Sequence, residues 1–118
     1  TLRDTVTLAQ RANIGVCVDI FHCWAEADFP TLVLDALPRV ALIQLSDYVL
    51  GDRALPARAV PGDGAIPIEA FLGDVLDAGY RHGFDLELIG PRIDAEGALP
   101  AAQRAMRTVG ELLTGIGG

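Results

Sequence analysis

Val40-Ala41-Leu42-Ile43-Gln44-Leu45, followed by Ser46-Asp47, is apolar throughout except for Gln44. A run this short, bounded by Pro38 on one side and a Gly- and Pro-rich segment on the other, has the dimensions of a strand buried on both faces, as in parallel sheets. An amide inside such a run needs a reason. The same pattern, an apolar run closing on a polar group, recurs twice. Val16-Cys17-Val18 leads into Asp19, with His22 three residues on, and Phe84 to Ile89 carries Glu87 between Leu86 and Leu88. Strands that each end on such a group can bring those groups together at one mouth of an α/β barrel.

Helical patterns separate the three runs. Leu2, Val6 and Ala9 recur at helical spacing, and Asn13 is a left-handed stop ahead of Val16. Asp28 is a candidate N-cap, Pro30 falls in the first turn, and Leu32, Val33, Leu34 and Leu37 form an apolar stripe that Pro38 ends. Pro67 opens a third helix carrying Ile68, Phe71, Leu72, Val75 and Leu76, which Gly79 closes; a last helix spans about Leu99 to Leu113. Residues 47 to 65 form a connection longer than ordinary strand-to-helix loops, where substrate contacts are expected. Strands alternating with helices, each connection long enough for a right-handed crossover, give a parallel α/β sheet in one unit, 1–118, with no internal domain boundary.

Composition narrows the partners. The 118 residues are 51% hydrophobic and carry a formal charge of −7, with nine basic residues, all of them Arg and scattered. Nucleic acid is a poor partner for such a surface. The sequence has neither a signal-peptide pattern nor an apolar stretch of the ~20 residues that cross a bilayer, so a cytoplasmic protein is expected. Cys17 and Cys23 lack the spacing of a redox or metal motif and read as reduced packing residues. The chain is also shorter than the ~250 residues of an ordinary eight-stranded barrel.

The segments Val18-Asp19-Ile20-Phe21-His22, Ile43-Gln44-Leu45-Ser46-Asp47, Arg58-Ala59-Val60-Pro61-Gly62-Asp63-Gly64, Gly79-Tyr80 and Leu86-Glu87-Leu88 occur in that order. Together they resemble the last three strands of the xylose-isomerase-like TIM barrels, the superfamily that includes sugar-phosphate isomerases and epimerases and AP endonuclease family 2. The resemblance implies a C-terminal portion of a longer enzyme, with the N-terminal barrel strands missing or replaced by a second copy in a homo-oligomer. It implies a metal held by a Glu from the fifth strand, an Asp from the sixth, a His or Gln from the seventh and a Glu from the eighth. Asp19, Gln44 and Glu87 match the last three; the first has no counterpart here. Glu87 would be ligand and acid/base together, and His22 would hold a substrate oxygen and stabilise an enolate.

The residues themselves point the same way. Two carboxylates and an amide oxygen form a hard donor set suited to Mg²⁺ or Mn²⁺ and ill suited to a structural zinc. Such a cation polarises a carbonyl, so a nearby carboxylate can remove the adjacent proton. Arg58 is a candidate for holding a substrate carboxylate, phosphate or hydroxyl, with Arg53 its rival. Three functions remain open at this point. One is a divalent-metal-dependent isomerase or epimerase of a small sugar, sugar phosphate or hydroxy-keto substrate. A second is a metal-dependent lyase of the 3-dehydroshikimate dehydratase kind, which the resemblance implies through Gln44, a match to the amide ligand found in some of those enzymes. The third is a non-catalytic half-barrel that needs a partner segment. Endonuclease IV fits worst, because the acidic balance opposes DNA and its metal cluster needs more than the two histidines present.

Overall fold

The computed structural model describes residues 1–117. Helix α1 (Leu2–Ala12) leads to strand β1 (Val16–Asp19), and a single turn α2 (Ile20–Cys23) precedes α3 (Phe29–Ala36). A 3₁₀ turn (Leu37–Arg39) then delivers the chain to β2 (Val40–Leu45); α4 (Ile68–Asp77), β3 (Gly83–Leu86), α5 (Pro91–Glu96) and α6 (Ala98–Gly117) follow. The three strands form one parallel sheet in the order β1-β2-β3.

Local chemistry explains most of the boundaries. Thr1 caps α1 by accepting from the Asp4 amide, and Asn13 ends it in the left-handed conformation at φ 55°. Gly79, at φ 101°, closes α4 as a left-handed stop. Asp28 precedes α3 as expected but lies at φ 63° and makes no side-chain cap among the described residues; its carboxylate instead sits 3.6 Å from Arg3. The inward stripe of α3 is Phe29, Val33, Ala36 and Leu37, at i, i+4, i+7 and i+8, so Leu34 faces outward and is 38% exposed. That corrects the stripe expected from sequence, Leu32, Val33, Leu34 and Leu37, of which Val33 and Leu37 are buried, Leu32 is half-buried and Leu34 is not. Pro67 opens α4 as expected, standing at its N-cap.

Two further expectations change. The third strand ends at Leu86 rather than Ile89, although the Glu87 amide still donates to Leu45 O at 3.1 Å. Beyond it the chain turns at Gly90, whose φ of 130° lets the backbone pass against Pro56, and Ile89 is left exposed. The short helix α5 was not anticipated.

The sheet is covered on one face. Val18, Ile43, Leu45 and Val40 are at most 1% exposed and pack with Leu2, Phe29, Val33, Phe71, Leu72 and Val75 from the helices. The opposite face carries Cys17 and Asp19 on β1, Leu42 and Gln44 on β2, and Gly83 and Asp85 on β3, none of them buried. The strands are therefore not buried on both sides within this chain, and Cys17 is exposed where a packing role was expected. A smaller cluster of Val60, Ile93, Ala101 and Ala105 holds α5 and α6 to the long loop. No helix of the described residues is long and apolar enough to cross a membrane.

Candidate active site at the carboxyl ends of the strands

Because side chains alternate along a strand, the register decides which groups meet. Asp19 pairs with Gln44, and Gln44 with Asp85, so all three lie in one row on the open face. Ser46 and Glu87, two residues beyond Gln44 and Asp85, continue the same sides past the ends of β2 and β3. Gln44 donates from Nε2 to Asp85 Oδ2 at 3.1 Å. A carboxylate only accepts, so this bond fixes the amide orientation and turns Oε1 away; Oε1 accepts no hydrogen bond among the described residues. Asp85, for which the sequence offered no role, thus orients Gln44.

Arg58 is the hub. Its residue is 4% exposed although it stems from an irregular loop. The guanidinium meets Asp19 in a bidentate pair, Nη1 to Oδ1 at 3.0 Å and Nη2 to Oδ2 at 2.7 Å, and Nη1 also donates to Ser46 Oγ at 3.0 Å. Nη2 lies 3.5 Å from Glu87 Oε2, and Cζ stands 4.6 Å from the centroid of the Phe21 ring. Buried charge is tolerated only when paired in this way. Nε is buried with no partner among the described residues. The rival Arg53 is exposed and lines a separate cavity of about 270 Å³ with Asp52, Ala57 and Arg92.

Asp19 ends β1 and caps α2, its Oδ1 accepting from the Phe21 amide at 3.1 Å. That turn carries His22 back over the strand end, where Nε2 lies 3.2 Å from Arg58 Nη2 and 3.8 Å from Asp19 Oδ2. A guanidinium only donates, so Nε2 accepts and the ring proton resides on Nδ1. The imidazole is otherwise open, at 67% side-chain exposure. A cavity of about 330 Å³ runs beside it along β1, lined by Thr5, Cys17, Asp19, Cys23 and Glu26 among others. Partial desolvation pushes the Cys17 thiol pKa up, and the carboxylates of Asp19, Asp85 and Glu87 add to that shift. The open face is thus an anionic one.

The structure brings together Asp19, His22, Arg58 and Glu87, with Gln44 beside Asp19 in the same row. One participant escaped the sequence reading. Ser46 follows Gln44 by two residues, and strand alternation alone was the signal that could have placed it on the same side. The position of Phe21 under Arg58 depends on the turn after Asp19. Among the described residues, no three or more His, Cys, Asp or Glu side chains cluster closely enough to hold a metal ion.

Comparison with known proteins agrees with this architecture. Residues 1–109 match the xylose isomerase-like TIM barrels, and the chain belongs to that family. A xylose isomerase domain protein from Alicyclobacillus acidocaldarius superposes with a TM-score of 0.78 at 26% identity, over 100% of this chain and 44% of that one. The IolI protein, solved with a zinc atom bound, superposes with a TM-score of 0.76 at 24% identity, over 96% of this chain and 42% of its own. The 3-dehydroshikimate dehydratase of Pseudomonas aeruginosa is 29% identical over an alignment of 117 residues that covers 93% of this chain and 18% of the enzyme. The chain therefore spans less than half of these solved relatives and less than a fifth of the curated one. Its sheet is part of a TIM barrel, and its open face corresponds to the barrel interior.

Proposed function

We propose that this chain supplies the metal-binding and proton-transfer wall of a divalent-metal-dependent isomerase or epimerase of a small sugar, sugar phosphate or related hydroxy-ketone. One observation carries the reading: Asp19, His22, Arg58 and Glu87 meet at the carboxyl ends of parallel strands, the end of a TIM barrel where chemistry is found. The donor chemistry fits a hard cation. Asp19 and Glu87 offer anionic oxygens, and Gln44 presents a carbonyl oxygen that its bond to Asp85 leaves free. Mn²⁺ or Mg²⁺ suits such a set, completed by groups outside this chain, by water or by substrate oxygens. When bound, the cation supplies a Lewis acid that polarises a substrate carbonyl and acidifies the neighbouring C–H.

The protein groups do the rest. Glu87 is partly shielded, with its side chain 33% exposed, and among the described residues its ion-pair partner is Arg58 at 3.5 Å, a contact loose enough to leave the carboxylate free to remove and return the substrate proton. Arg58 offers a fixed cation for a substrate oxygen, phosphate or carboxylate, held ready by Asp19 and Ser46. His22 projects at the rim, where its Nδ1–H donates to an oxygen that gains charge as the proton leaves. The test is turnover of keto sugars in D₂O with Mn²⁺, followed by NMR. Deuterium should appear at the carbon next to the carbonyl, and Glu87→Gln should slow this by about 10²–10⁴-fold. A wild-type rate in Glu87→Gln would remove Glu87 from the chemistry.

A second reading is a dehydratase, in which proton removal is followed by loss of hydroxide. It is favoured by the 29% identity to the Pseudomonas aeruginosa 3-dehydroshikimate dehydratase. The same experiment separates the two, because 3-dehydroshikimate would then yield a product absorbing in the ultraviolet while keto sugars would remain unchanged.

A further inference from the structure

We propose that Asp47 is the positioning residue for Arg58, holding the irregular loop that carries it through a cradle of four backbone amides. Asp47 is 1% exposed, just past the end of β2. Its Oδ1 accepts from the amides of Tyr48 at 2.8 Å and Ile66 at 3.0 Å, and its Oδ2 from those of Gly62 at 3.0 Å and Gly64 at 2.9 Å. Among the described residues it has no Arg or His partner, so these four N–H dipoles are what offset the burial of its charge.

The cradle reaches Arg58 through the backbone. Asp47 and Ala59 exchange both main-chain hydrogen bonds, Asp47 N to Ala59 O and Ala59 N to Asp47 O, each at 2.8 Å. Arg58 is the residue before Ala59, and its own amide donates to Ile89 O at 3.1 Å. Between Leu45 and Ile68 the chain has no helix or ladder strand, so nothing regular fixes where Arg58 starts. Asp47 ties both ends of the segment from 59 to 66 to the end of β2. The Gly62-Asp63-Gly64 sequence follows from the same contact. Gly62 adopts φ 99°, a conformation that strains any side chain, and a Cβ on Gly64 would overlap Asp47 Oδ1 and Tyr48 O, so Gly64 approaches the carboxylate only without a side chain.

The functional consequence rests on the reading of Arg58 as a substrate contact, but the positioning itself can be tested without substrate. The probe is the Arg58 guanidinium NMR signal, assigned by its loss in Arg58→Lys. In the wild type, the bidentate pair with Asp19 should slow rotation and proton exchange of the guanidinium. In Asp47→Asn, which keeps the shape but loses the charge and one acceptor, that restraint should be lost. Exchange of the Gly62 and Gly64 amides should rise by about tenfold or more, with the methyl signals of Val18, Ile43 and Leu72 unmoved. Gly62→Ala, which strains the cradle from the loop side, should do the same to Arg58 if Asp47→Asn does not fold. An Arg58 guanidinium as restrained in the folded variant as in the wild type overturns the proposal. That result would leave the reading of the active site intact, which only the turnover of Glu87→Gln decides.

Discussion

Arg58 lies in a stretch, Ala54 to Gly64, with no helical or alternating period, so nothing in its spacing reveals a guanidinium shared among Asp19, Ser46, His22 and Glu87. Asp19, Gln44 and Glu87 were legible because each interrupts or closes an apolar run, and a polar group there must serve something. The cysteines test the same logic. Cys23 is buried, donates to Asp19 O at 3.1 Å, and has its thiol pKa pushed up to about 12 by burial, with Glu26 and Asp19 adding to it. Cys17 is exposed but also raised, by desolvation and the carboxylates around it. A raised thiol pKa means less thiolate at a given pH. A disulfide reagent at pH 8 should therefore modify one thiol per chain, more slowly than a free model thiol, and Cys17→Ser should abolish the reaction. Two thiols reacting at equal rates would contradict the one-faced burial that separates them.

At the level of elements, the order of helices and strands could be read from the apolar periods and from Asn13, Pro38 and Gly79, each of which stops or bounds an element for a local steric reason. The one-sided packing of the sheet could not. A continuous run such as Val40 to Leu45 looks the same whether its second face meets helices, a barrel interior or solvent, because the period carries no information on what lies opposite. Helix α5 was hidden for a different reason: six residues are too few for a periodic signal, and Ile93 is its only buried anchor. The packing predicts an asymmetry between neighbours on β2. Ile43 is fully buried and Leu42 lies on the open face, so Ile43→Ala should cost about 2–5 kcal/mol in this chain and Leu42→Ala about 1 kcal/mol or less. Urea unfolding measures both. Equal losses would mean that the open face is packed in solution.

Across the whole molecule, three strand-and-helix units place one wall of a TIM barrel's active end, with two carboxylates, a free amide oxygen and a buried guanidinium on the interior side. The family was recognisable from short segments in a fixed order, and the match over residues 1–109 agrees with them. Substrate identity was not recognisable, because one fold hosts many substrates and a strand pattern does not choose among them. The central claim is that Asp19, Gln44 and Glu87 act as one cation site beside Arg58. The most direct test is calorimetric titration of Mn²⁺ into the protein, compared with Asp19→Asn and Glu87→Gln. The account predicts one ion bound per chain in the wild type, with affinity lowered at least about tenfold in each variant, a loss of about 1.4 kcal/mol or more. No binding by the wild type, or binding that neither substitution weakens, would contradict it.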